Sequence, residues 1–96
     1  KFSNDMLLLR STSFVRAARK FVSKHPPAAA HIQETLQLLS VDPSDPRLKT
    51  HKLKGELRGS LACSTGYDCR IVFSIVHHEG KEAILLETVG THEEVY

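Results

Sequence analysis

Two histidines, an aspartate, an arginine and an aromatic stand in the second half of the chain, at His51, Asp68, Arg70, His92 and Tyr96. Imidazole and carboxylate groups exchange protons readily, and the ordinary imidazole pKa of about 6.5 suits work at neutral pH. Guanidinium and ammonium groups hold phosphates, and the run "HKLKGELRG" sets Lys52, Lys54 and Arg58 against the single acid Glu56. Together these residues suit acid–base chemistry on a phosphate-bearing substrate. Residue type alone leaves plainer roles open: Asp68 and Arg70 also fit a weak surface ion pair, His51 a turn cap, and His92 and Tyr96 a chain end packed against a sheet. No phosphate-cradling glycine loop, GxSxG or HExxH signature is present. Cys63 and Cys69 lack a second Cys or His group at metal-ligand spacing, so they read as free thiols and no metal or cofactor is expected.

The 96 residues are one domain's worth of chain. Residues 1–5 read as an extension or expression remnant ahead of Met6, and 6–96 as the domain. No apolar run approaches the roughly 20 residues of a membrane span, and the N-terminus has neither the basic cluster nor the apolar length of a secretory signal. A cytoplasmic protein without a membrane partner is therefore expected. Net charge is only +2, yet the charges are segregated. Between Met6 and Gln33 there is no acid, while Arg10, Arg16, Arg19, Lys20 and Lys24 are basic. A second basic run holds Arg47, Lys49, Lys52, Lys54 and Arg58, and the acids gather at 34–45 and from Glu79 onward. Such clustering fits a face that meets phosphates or an acidic partner segment, and equally a solvated helix face.

The elements that must position these residues follow from periodicity. "MLLLRS" reads as a strand. Ser11, Thr12 or Ser13 can cap a helix whose apolar stripe is Phe14, Ala17, Ala18, Phe21 and Val22. "KHPP" ends it, because proline cannot continue a helix but can open one. Ala29, Ile32, Leu36 and Leu39 then give a second amphipathic helix. After the turn segment "VDPSDPR", the runs "GSLACS", "CRIVFSIVH" and "KEAILLETVG" read as strands joined by hairpins at "TGYD" and "HHEGK". The expected fold is α+β and two-layered: strand, helix, helix, then a three-stranded antiparallel meander, with both helices on one face. Strand parity about Gly66 sends Leu61, Cys63, Cys69, Ile71, Phe73 and Ile75 toward the helices. Ala62, Ser64, Asp68, Arg70 and Val72 take the other face, since the opposite register would bury both charges. His25, His31, His77 and His78 read as helix-end, helix-surface and hairpin residues.

"HKLKGELRG", "STGYDCRIVFSI" and "ETVGTHEEVY" resemble the RelE/ParE superfamily of type II toxins, closest to its RelE and YafQ branches, from about Met6 to Tyr96. The resemblance implies a small bacterial or archaeal protein that cuts mRNA, usually in the ribosomal A site, and is silenced by a cognate antitoxin. Residue by residue, His51 and His92 match histidines of the YafQ site, His92 being the general acid, and Asp68 matches its aspartate. Arg70 matches the RelE-branch arginine that contacts the scissile phosphate, and Tyr96 the terminal aromatic that stacks on a nucleotide. Ser64 stands where YafQ-like toxins keep a histidine, Cys69 where they keep a tryptophan and Thr88 where they keep an arginine. The RelE branch's lysine pair on the second strand is also absent, Leu61 to Cys63 being uncharged.

Under that resemblance the 2′-hydroxyl of RNA attacks its own phosphate. His92 protonates the leaving 5′-oxygen, and Asp68 or His51 acts as base or orients the acid. Arg70, with Lys52, Lys54 or Arg58, holds the added negative charge, and Ser64 joins the RNA-contacting set. Tyr96 stacks on a base, a contact worth about 1–3 kcal/mol. Two alternatives stand beside this: a ParE-like inhibitor of DNA gyrase, which would leave the His, Asp and His set unexplained, and a weakened member that binds RNA without cutting it.

Overall fold

The computed structural model describes residues 5–66 and 68–95, so the role expected of Tyr96 and most of the expected N-terminal extension lie outside the described residues. The chain runs β1 (Leu7–Arg10), α1 (Thr12–Lys24), α2 (Ala28–Val41), β2 (His51–Lys52), β3 (Leu61–Ser64), β4 (Arg70–His78), β5 (Lys81–Gly90) and α3 (His92–Val95). Short 3-10 turns at Pro46–Leu48 and Gly55–Leu57 flank β2. The strands form one sheet in the order β1-β5-β4-β3-β2. β1 lies parallel to β5, and the remaining neighbours are antiparallel.

Each helix begins and ends where its local chemistry dictates. Ser11 caps α1, its hydroxyl accepting the Phe14 amide at 3.0 Å, which selects one of the three hydroxyl residues available there. His25 closes α1, and its ring lies 4.8 Å from that of Phe21. α2 starts directly after Pro27, where the missing N–H costs nothing. Met6 N–H donates to Ser40 O at 2.7 Å, tying the start of β1 to the end of α2.

Phe14, Phe21, Ile32, Leu36 and Leu39 bury themselves against Cys63, Ile71, Phe73, Ile84 and Leu86. These sheet residues alternate along their strands, so both helices lie on one face, as the parity requires. The β3–β4 register pairs Leu61 with Phe73, Ala62 with Val72, Cys63 with Ile71 and Ser64 with Arg70. Each residue keeps its expected face, but the register is shifted by two residues from a turn centred on Gly66, which would have set Cys63 opposite Cys69. Ile75 departs from expectation: it is 37% exposed. β3 begins only opposite Phe73, so Ile75 has a neighbouring strand on the β5 side alone.

Two elements exceed the expected meander. His51 and Lys52 pair with Ala62 and Leu61, adding an edge strand inside the basic run. Beyond β5 the chain turns into the four-residue helix α3 instead of continuing as strand. Nor is the second face of the sheet bare. Ala62 and Val72, both 0% exposed, are covered by Leu53 and Val95 in a second small core edged by Leu57.

Candidate nucleic-acid interface

The second face carries the candidate residues in two rows, because directly paired residues project to the same side. One row is His51, Ala62, Val72 and Thr88. The next is Ser64, Arg70 and Gly90. Arg70 is half-buried and pairs with Gly90, over which Glu94 and Val95 of α3 sit; its Nη1 donates to Cys69 O at 3.2 Å. Among the described residues no carboxylate bridges Arg70, so the Asp68–Arg70 surface pair is not formed. Asp68 is exposed in the β3–β4 turn, two residues ahead of Arg70.

His51 sits farther off. Two strand spacings and a two-residue step separate its Cα from that of Arg70, about 12 Å in all. Lys52 pairs with Leu61, which faces the helices, so it lies on the opposite side of the edge strand from His51. Lys54 and Arg58 are exposed on the loop 53–60, which closes through Leu53 N–H to Ser60 O at 3.0 Å. Leu53, Leu57 and Val95 line an open groove of about 620 Å³ between this loop and α3, with Lys54, Glu56 and Glu94 also on its walls.

The motif "GTHEE" has a physical reading in the structure. Thr91 and Glu94 form a capping box: Glu94 N–H donates to Thr91 Oγ1 at 3.2 Å, and Thr91 N–H donates to Glu94 Oε1 at 2.9 Å. A Cβ at Gly90 would lie 2.8 Å from Glu94 Oε1, so only glycine admits this closure. The Thr91 amide, and after it the Thr91 hydroxyl and the Lys24 and Lys20 ammonium groups, hold the Glu94 carboxyl below its ordinary pKa. Those lysines and His25 line a cleft of about 190 Å³ that faces Thr88, Thr91 and Glu94. Val95 buries itself in the second core, and His92, at the first position of α3, is left exposed. The T-x-x-E spacing was legible in the sequence as a helix start, but it lies hidden in what reads as the tail of a strand.

His31 is half-buried rather than a helix-surface residue. A Cβ at Gly66 would lie 2.7 Å from its Nδ1, so the α2 ring supports the turn that carries Asp68. Burial pushes the Cys63 thiol up to about 12 and the Cys69 thiol up to about 11, which keeps both protonated and unreactive at neutral pH. No cluster of three metal-ligating side chains occurs among the described residues. Among them too, no helix is long and apolar enough to cross a membrane.

No protein-family model matches the chain, and comparison with curated protein sequences finds no match. Solved structures do match. YafQ from E. coli superposes with a TM-score of 0.75 at 15% identity, covering 95% of this chain and 98% of its own. A YoeB/ParE toxin from Agrobacterium tumefaciens gives 0.72 at 15%, covering 91% and 99%. The toxin–antitoxin complex RelBE2 from Mycobacterium tuberculosis gives 0.68 at 19%, covering 92% and 99%. With TM-scores of this size over nearly the full length of each neighbour, the chain has the RelE/YafQ-type toxin fold.

Proposed function

We propose that the chain is the toxin of a type II toxin–antitoxin pair, an endoribonuclease that cuts mRNA at the ribosomal A site and is neutralised by a cognate antitoxin. The observation that carries the reading is the exposed imidazole of His92, fixed by a capped helix two residues beyond the strand position paired with Arg70. A proton donor and a fixed cation thus share one edge of a face that also carries a groove and exposed lysine and arginine. On that face Arg70 holds the phosphate oxygens, and His92 protonates the departing 5′-oxygen as the 2′-oxygen closes on phosphorus. Asp68 is better placed than His51 to take the 2′-hydroxyl proton, because it precedes Arg70 by two residues whereas His51 is two strands away. His51, Lys54, Arg58 and Ser64 then contact the flanking strand. These side chains supply both proton transfers and the charge, so the reaction as written needs no metal.

The antitoxin reading rests on the RelBE2 neighbour, which is solved as a toxin–antitoxin complex. An acidic antitoxin segment would find complementary charge on α1, where Arg16, Arg19 and Lys20 are exposed.

Inducible expression with primer extension of host mRNA tests the function. Growth arrest with new mRNA ends that vanish in His92→Ala supports the enzyme. Arrest with intact mRNA and a DNA-damage response points to gyrase inhibition, and RNA binding without new ends points to a member that no longer cuts.

A further inference from the structure

Glu87 is the one acid inside the apolar part of β5, and none of the roles above uses it. The β4–β5 ladder pairs Val72 with Thr88 but Phe73 with Leu86, so Glu87 is an extra residue without a partner opposite it, a β-bulge. Its half-buried carboxylate is occupied on both oxygens. Oε1 accepts from Ser60 Oγ at 2.7 Å, and Oε2 accepts from Ser74 Oγ at 3.1 Å. Ser74 belongs to β4, while Ser60 is the neck of the loop 53–60, where its carbonyl accepts Leu53 N–H and its own amide donates to Leu57 O. A negative charge on a face meant for phosphates works against binding unless it does something else there. Here it ties the loop that carries Lys54 and Arg58 to the central strand.

We infer that Glu87 is a positioning residue: its bulged carboxylate clamps Ser60 to Ser74 and so holds the basic loop 53–60 in register with Arg70 for a single-stranded RNA. This rests on the RNA-binding reading above. The bulge is what makes the clamp possible, since a residue in regular alternation would pair across the ladder instead of leaning over β4. The two bonds are charge-assisted, and both serines would otherwise leave half-buried hydroxyls to find new partners.

Two measurements on Glu87→Ala, Glu87→Gln and the parent test it. Hydrogen exchange of the free protein reads the loop directly. In Glu87→Ala the Leu53 and Ser60 amides should exchange on the order of tenfold faster, with β4–β5 amides near His77 unchanged. Titration with a 2′-O-methylated single-stranded RNA, which lacks the attacking hydroxyl and stays whole, should show affinity weakened on the order of tenfold. Cleavage of an ordinary RNA should then show a raised KM at nearly unchanged kcat. Glu87→Gln, which keeps an acceptor and gains a donor for the two hydroxyls, should restore loop protection and most of the affinity. Unchanged exchange at Leu53 and Ser60 in Glu87→Ala overturns the inference even if the parent binds RNA tightly. So does loss of kcat at constant KM. Faster exchange in a protein whose parent binds no RNA supports the clamp and overturns the function it was argued to serve.

Discussion

Arg70 and the two thiols make opposite use of the β3–β4 hairpin. Arg70 lies on the second face at the edge of α3, where a forked cation can grip two phosphate oxygens; lysine would supply the charge without the fork. Arg70→Lys should therefore bind RNA nearly as the parent does while cutting about 10²–10³-fold more slowly in single turnover, the usual cost of losing one preorganised stabilising group. Cys63 and Cys69 look the other way, into the helix layer, and are buried at 0% exposure. Their ordinary value is 9.0, and the folded state raises them to about 12 and about 11. Below pH 9 both states keep the thiols protonated and stability is undiminished. Above it the unfolded chain ionises first, so stability drains away until the folded thiols ionise in turn. The urea midpoint should fall between pH 9 and 11, and Cys63→Ala should remove much of that dependence. At this scale the sequence was informative where parity decides: the faces taken by Arg70, Cys63 and Ile71 followed from the cost of burying charge, whereas the pairing itself, set by the turn, came out two residues away from a turn centred on Gly66.

The elements that were legible are those with a repeating period. The stripe from Phe14 to Val22, the apolar runs of β4 and β5 and the proline joint each repeat or break a pattern over many residues. β2 is two residues long and α3 is four, too short for a period to declare itself, and both lie in segments that the proposed function uses. The β5 bulge escaped because pairing, not composition, creates it: "AILLETVG" reads as unbroken strand until Thr88 and Leu86 are seen opposite neighbouring residues. α3 depends on its cap, since an isolated turn has almost no stability of its own. Thr91→Ala should cost about 1 kcal/mol in urea unfolding and lower cleavage further by loosening His92. Gly90→Ala should do more harm, because its methyl would meet the Glu94 carboxylate that closes the cap. A cleavage rate unaffected by either change would mean that α3 does not place the acid.

Across the whole molecule the positive charge lies on two layers. The α1 cations are on the helix side and the loop cations are on the far side of the sheet, an arrangement that total charge conceals. If the loop is the RNA-facing layer, RNA affinity should fall with salt, and Arg58→Ala should flatten the log–log slope by about 0.7, the share of one phosphate contact on a single strand. Arg16→Ala should leave that slope unchanged and weaken only the antitoxin.

The parallel pairing of β1 with β5 joins the first strand to the last among the described residues. Such long-range closure comes late in folding, because its loop entropy must be met before any contact rewards it. A nascent chain therefore cannot seat its first strand, or raise His92 beside Arg70, until β5 has left the exit tunnel. A chain cut short before β5 would thus lose the partner of β1 and the strand that carries α3 together, leaving Arg70 on a sheet with no second edge.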